Sequence, residues 1–355
     1  MTSIDSNEIL PFIQFNGQTS RERGYEHGTI LSERIDRSIK IYREQFSQQN
    51  NFNEKYILQL CEQYRRGISL FSSDYLDELD SIAISSKQDP LWIIALNSRL
   101  EILNHLAFGI QNECTVLYDK QTCRLAENWD WLQDFEHLAF INYIKSNEIL
   151  QMTEPGVLGK IGFNSYGIGV TLNFVDSSAQ SANPLNIPLN ITLRTVLDQA
   201  KTFQQALNIF EQNGPGFGGH VLVGDDKSQC CCVELPGDKV HFIHDHPYHT
   251  NHFLYTTNND HIKDKARYQN SLDRYERVKK LWTNKNSLES ILFDHNDTQR
   301  YPICRSYKPT RLGHIGTVCS LIMNLKERTM NITKGNPIQY PKFHQFKLEQ
   351  EKDSN

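Results

Sequence analysis

The spacing of apolar positions changes along the chain and divides it into blocks. Near the start, Leu10, Phe12, Ile13 and Phe15 make a short β-rich run, interrupted by Pro11 and closed by Asn16–Gly17, which predicts an entry strand over the first 20 residues. From 20 to 110 the spacing predicts mostly helix. Ile30, Ile35, Ile39 and Tyr42 recur at roughly helical intervals, and Tyr56, Leu60, Tyr64 and Leu70 continue them after a polar gap at 47–55. Asp89–Pro90 marks a helix start, with proline in the first turn. The run from Leu91 to Leu103 is apolar nearly all round, so the helix it predicts is buried.

The pattern shortens at about residue 113. Cys114–Tyr118, Arg124–Asn128 and Leu138–Ile144 read as strands, and 159–173 reads as two β-rich runs turning at Asn164–Ser165. Helix returns at 188–213, a strand pair follows over His220–Gly224 and Cys230–Leu235, and 260–290 is a charged helical region with a solvated face. Thr317–Met323 and Thr329–Thr333 predict a last hairpin. Residues 176–190 read as an exposed linker, and the charged tail after about 345 as frayed. Strands grouped in the middle, with helices in blocks, predict an α+β fold with helices over antiparallel sheet rather than alternating βαβ units.

Composition narrows the possible functions. The 355 residues carry Lys+Arg 37 against Asp+Glu 42, a net charge of -5, which argues against a nucleic-acid partner. No apolar run is long enough to span a membrane. The first residues lack the basic and apolar regions of a secretory signal. The eight cysteines include no CxxC pair and are sparse, so reduced thiols and a cytoplasmic location are expected. Dinucleotide, Walker, HExxH and GxSxG motifs are absent.

The richest chemistry lies between Asn112 and Trp131. A predicted hairpin begins at Cys114 and ends at Asn128 and Asp130, bringing a thiol, an amide and a carboxylate together. A cysteine nucleophile needs a neighbour that lowers its pKa or takes its proton. A single strand cysteine is more often packing, because free cysteine is among the most buried residue types.

Several blocks taken together resemble one family. These are Arg23-Gly-Tyr-Glu-His-Gly28, Glu113-Cys-Thr115 followed by Asn128-Trp-Asp130, the 162–173 hairpin ending in Leu172-Asn173, Thr250-Asn-His-Phe253, Ser271–Arg274, and Thr317 to Pro337. In this order they resemble the acyl-coenzyme A:6-aminopenicillanic acid acyltransferase family, C45-type self-processing N-terminal-nucleophile (Ntn) hydrolases, over about 10–340. The resemblance implies a four-layer αββα sandwich in a single domain, 1–355. It also implies self-cleavage at Glu113–Cys114 into an α chain 1–113 and a β chain 114–355, which stay together as a heterodimer.

Cleavage would place thiol and α-amine on one residue, Cys114, so that nucleophile and base coincide. The resemblance makes Asp130 the holder of that amine, Asn251 and Asn173 oxyanion donors, and Arg305 an arginine near the aspartate. It implies an acyl-Cys114 enzyme acting on a small-molecule amide or acyl donor. Hydrolysis of a small amide is the preferred reading, and coenzyme A-dependent N-acyl transfer is the alternative. No cofactor is required, although a coenzyme A thioester could serve as substrate. Glu113 stands where the best-known members have glycine, which motivates a reading from another class, a ligand-binding scaffold without turnover.

Other conspicuous residues have plainer readings. Cys230–Cys232 alternate across a strand, so all three cannot converge on one ion; core packing suits them. Five of the thirteen histidines fall between His241 and His252, where a pocket wall suits them better than a metal site. His27 is assigned a structural role, packing the first block onto the core.

Overall fold

The computed structural model describes residues 8–48, 53–106, 114–175, 187–214, 218–256, 265–295, 301–310 and 313–348. After strand β1 (Phe12–Phe15) come six helices: α1 (Ser20–Ile30), α2 (Ser32–Ser47), α3 (Glu54–Phe71), α4 (Ser73–Ser86), α5 (Pro90–Asn97) and α6 (Arg99–His105). Their starts follow local chemistry. Thr19 and Glu22 form a reciprocal capping box on α1, and Asn53, Ser72 and Asp89 cap α3, α4 and α5 through side-chain oxygens. The Asp89–Pro90 start and the all-round burial of α5 are as the sequence predicts.

The β-rich part follows with β2 (Thr115–Asp119), β3 (Arg124–Leu132), β4 (Phe140–Ile144), β5 (Ile149–Thr153), β6 (Ile161–Asn164), β7 (Gly169–Val170) and β8 (Asn173–Phe174). Then come α7 (Leu189–Gln199), α8 (Phe203–Asn213), β9 (Gly219–Gly224), β10 (Cys230–Leu235), β11 (His241–His244) and β12 (Tyr248–His249). The chain closes with α9 (Lys265–Thr283), α10 (Leu288–Leu292), β13 (Lys308–Thr310), β14 (Gly313–Asn324), β15 (Thr329–Thr333) and β16 (Phe343–Lys347).

The strands form two sheets. One has nine strands, ordered β1-β4-β5-β6-β7-β9-β10-β11 with β8 also on β9; the other has seven, ordered β12-β2-β3-β14-β15-β16 with β13 on β14. Helix α1 lies against β1, α7 against β6 and β7, and α8 against β9, covering the nine-stranded sheet. On the far side, Leu117, Ala126 and Ile322 of the seven-stranded sheet pack under Val278 of α9 and Leu288, Ile291 and Leu292 of α10.

The remaining two faces meet. The Tyr118 hydroxyl crosses from β2 to donate to the Asp225 carbonyl at 2.6 Å. Glycine permits this approach: a Cβ on Gly224 would fall 2.7 Å from the Tyr118 ring. The order is helix, sheet, sheet, helix, a four-layer αββα sandwich. Among the described residues no helix is long and apolar enough to cross a membrane.

Some elements depart from the sequence pattern. The predicted 188–213 helix is two helices, because Thr202 caps a new start. Strand β5 is buried at every position, so it carries no alternation to read. The tail expected to fray after about 345 is ordered at its start, because β16 runs to Lys347 and pairs with β15, and Phe346 stacks on Phe12 at 5.3 Å. Most of the linker read over 176–190 lies outside the described residues.

Candidate active site

The expected β2–β3 hairpin forms, with Thr115 opposite Asn128, which sets Cys114 at its open end. The Cys114 thiol is buried and lies 3.7 Å from the Asp130 carbonyl oxygen. Burial pushes the thiol well above its ordinary pKa, and the carboxyls of Glu127 and Asp130 push it further. A thiol so placed is protonated and needs a base before it can attack.

Asp130 is fully buried, and among the described residues neither carboxyl oxygen has a partner meeting hydrogen-bond distance and angle. Burial raises it to about 7; the Thr317 hydroxyl and the Arg274 guanidinium, both nearby, offset this only in part. The orphaned carboxyl is an acceptor awaiting a donor. Asn128, the amide at the same end, is committed elsewhere: its Nδ2 donates to the carbonyls of Leu292 and Ile303 and braces α10.

Strand β12 pairs with β2, His249 opposite Val116, and so delivers Thr250 and Asn251 beside the start of β2. Two amides then tie the sheets together. Asn173 Nδ2 donates to the Thr250 carbonyl at 2.7 Å, and Asn251 Nδ2 donates to the Phe174 carbonyl at 2.8 Å. Each amide nitrogen has a second hydrogen beyond these bonds. The segment is anchored by Glu234, which receives His249 Nε2 and the backbone N–H groups of Leu254 and Tyr255.

Arg305 runs alongside Thr317, the residue opposite Asp130 on β14. Its N–H donates to Thr317 Oγ1 at 2.9 Å, and its carbonyl accepts from the Thr317 N–H at 3.1 Å. Burial lowers its guanidinium to about 10. Arg274 on α9, by contrast, reaches Cys114 directly and donates to its carbonyl at 2.9 Å. Sequence reasoning placed Ser271–Arg274 in a family block without giving the arginine a role. Glu113 lies outside the described residues.

The cavity beside the thiol is about 20 Å³, room for about one water. Cys114, Trp129, Asp130, Leu172 and Phe174 line it, together with a buried charged group that the sequence reading missed. Glu154 Oε1 receives Arg99 Nη2 at 2.6 Å and Lys160 Nζ at 2.7 Å, while Tyr42 donates to Oε2. Lys160 also sits 3.0 Å from the centre of the Trp129 ring. Burial lowers its ammonium to about 8, against the pull of Glu154. No local spacing links these positions; the sheets bring them together.

The conspicuous residues outside the cavity behave as packing and bracing groups. Cys230 and Cys232 share one face, both thiols directed to the His246 carbonyl, while Cys231 alternates away. The histidines spread out: His246 pairs with the Tyr275 hydroxyl, His252 with Ser271, and His241 stacks on Tyr255. His27 accepts the Gly156 N–H through Nε2 at 2.9 Å, the structural role expected of it.

A family model for acyl-coenzyme A:6-aminopenicillanic acid acyl-transferase matches residues 110–339, most of the chain, including Cys114, Asp130, Asn251 and Arg305. The chain belongs to this acyl-transferase family. One curated member similar to it is the acyl-coenzyme A:6-aminopenicillanic-acid-acyltransferase 40 kDa form of Emericella nidulans, 22% identical over 338 residues, covering 90% of this chain and 91% of that one. Among solved structures, a mutant of conjugated bile acid hydrolase from Clostridium perfringens aligns with TM-score 0.44 and 12% identity, over 68% of this chain and 93% of that one. Penicillin V acylase from Agrobacterium tumefaciens aligns with TM-score 0.37 and 13% identity, over 62% and 82%.

Proposed function

We propose that this acyl-transferase family member is a self-cleaving cysteine enzyme that breaks a small amide through an acyl-Cys114 intermediate. The observation that carries the reading is the Asp130 carboxyl at the open end of the hairpin, near enough to the Cys114 thiol to raise its pKa and without a hydrogen-bond partner among the described residues. A freed α-ammonium at Cys114 would supply the donor that this carboxyl lacks.

Self-cleavage begins when the Cys114 thiol adds to the Glu113 carbonyl and the C–N bond breaks. The acyl group moves to sulfur and the nitrogen becomes an amine. Water then hydrolyses the thioester, leaving chains 1–113 and 114–355. With the bond intact the cavity holds about one water, so substrate entry follows cleavage.

In turnover, the α-amine takes the thiol proton as sulfur attacks the substrate carbonyl. The second N–H groups of Asn173 and Asn251 stabilise the oxyanion, each such donor supplying roughly 2.7–4 kcal/mol in other enzymes. The ammonium protonates the leaving amine, and water attacks the thioester to release the acid and restore the thiol. An amine reaching the thioester in place of water, with a coenzyme A thioester as donor, gives the alternative, N-acyl transfer. Asp130 holds the α-amine, and Arg305 frames that carboxylate through Thr317. The protein supplies the chemistry without a cofactor.

Intact mass and N-terminal sequencing test the first step. Wild-type protein is expected as two chains, one beginning at Cys114, and Cys114→Ala as one uncut, inactive chain. Fragments persisting in the variant, or an inactive uncut wild type, overturn the reading; an uncut wild type that binds ligand without turnover would mark a scaffold. A fluorogenic amide assayed with and without an amine acceptor separates hydrolysis from transfer.

A further inference from the structure

Arg274 is fully buried, yet all four of its hydrogen-bond partners among the described residues are uncharged oxygens. Nε donates to Asn270 Oδ1 at 2.8 Å, one helical turn back on α9. Nη1 donates to the Cys114 carbonyl at 2.9 Å and to Thr115 Oγ1 at 3.0 Å. Nη2 donates to Asn251 Oδ1 at 2.8 Å. A buried cation without a carboxylate in contact is expensive, and here burial lowers its pKa to about 10. Its rigid fork is occupied in joining the nucleophile residue to Asn251.

That last contact fixes a direction. A primary amide can turn its oxygen and nitrogen through half a revolution with little change in shape. A cation on Oδ1 allows one orientation, the one with Nδ2 on the opposite side. One Nδ2 hydrogen goes to the Phe174 carbonyl, and Phe174 lines the Cys114 cavity. Among the described residues no group takes the second hydrogen, which the acyl-Cys114 reading assigns to the oxyanion. The same helix turn holds the backbone of the segment, because Ser271 Oγ accepts the Asn251 N–H at 2.7 Å and bonds to Thr250 Oγ1 at 2.9 Å. Reversal of the amide would present an oxygen to a developing oxyanion, and the charge on Arg274 forbids it.

We infer that Arg274 is a positioning residue, which keeps the donor side of the Asn251 amide toward the oxyanion formed at Cys114 and stiffens it by binding Asn251 Oδ1. Arg274 acts on turnover through Asn251, without touching substrate. The inference rests on the acyl-Cys114 reading.

A double-mutant cycle tests it, with Arg274→Met, Arg274→Lys, Asn251→Ala and the combinations, assayed on self-cleaved protein with a fluorogenic amide. Arg274→Met is expected to lower kcat on the order of 100-fold, the loss of about one oxyanion donor, while KM and the midpoints of the kcat/KM pH profile stay close to wild type. In the Asn251→Ala background the same substitution is expected to lower kcat by no more than about threefold, because its target is gone. Arg274→Lys, a single point charge, is expected to fall between.

Additive losses in the cycle overturn the inference. So does failure of both Arg274 variants to self-cleave where Asn251→Ala succeeds, since a residue acting through Asn251 cannot be needed where Asn251 is not. Turnover surviving in Cys114→Ala would instead sink the acyl-Cys114 reading itself. A dead Cys114→Ala with an additive cycle removes only the role of Arg274.

Discussion

Asp130 carries a carboxyl group out of reach of water, and its protonation moves to about 7. The sign of the consequence follows from linkage. Between about 4 and 7 the folded chain holds a proton that the unfolded chain has released, so the contribution of Asp130 to stability is full at low pH and is lost as pH rises through 7. In the uncut Cys114→Ala background, Asp130→Asn is expected to remove this slope. Urea unfolding across that window should show the variant gaining on its parent as pH rises, and parallel curves would count against a buried, unpaired carboxyl. The proposed self-cleavage would reverse the sign locally, because an ammonium beside the carboxylate favours the charged form. Lys160 shows the same physics with opposite charge, since burial lowers it to about 8 while Glu154 holds it charged. At this scale the sequence identifies which groups can titrate; the shifts come from burial and from partners distant in the chain.

Helix α1 shows how an element converts a motif into packing. The glycines of Arg23-Gly-Tyr-Glu-His-Gly28 face α4 at close range. A Cβ on Gly24 would lie 2.2 Å from the Glu78 carbonyl oxygen, and one on Gly28 would lie 2.5 Å from that of Ile82. Glu78, at this seam, is also the carboxylate shared by Arg23 and Arg194, so α1, α4 and α7 meet on one buried anion. Gly24→Ala is expected to destabilise the uncut protein by about 1–3 kcal/mol, because backbone must move to admit the methyl group. Arg21→Ala, which removes an exposed ion pair, should leave stability close to that of the parent. Denaturant midpoints compare the two, and equal midpoints would refute the tight seam. The motif was visible in the sequence as a pair of glycines four apart; the helix it meets was not, since α4 begins some fifty residues later.

Over the whole molecule, the proposed cut at Glu113–Cys114 divides the sequence but leaves the layers tied together. Strand β1 precedes it and pairs with β4 beyond it. Arg99 and Glu154, Glu78 and Arg194, Tyr75 and Asp198, and His27 and the Gly156 N–H all join across it, nearly all of them buried. The two chains are therefore expected to co-elute in native buffer and separate only in denaturant; separation under native conditions would show that these contacts do not hold the halves. The same distances explain what could be read in advance. The Cys114–Asp130 pair was legible because a short turn joins consecutive strands, and turn chemistry fixes such a hairpin locally. Helix starts at Asp89 and the buried run after it were legible for the same reason. Nothing local joins Arg274 to the Cys114 carbonyl 160 residues away, or Arg99 to Glu154 and Lys160. The sequence by itself determined the element types, the hairpin and the residues able to react. The stacking of two sheets decided which of those residues share a cavity, because burial and charge pairing between distant strands exist only once the layers have closed.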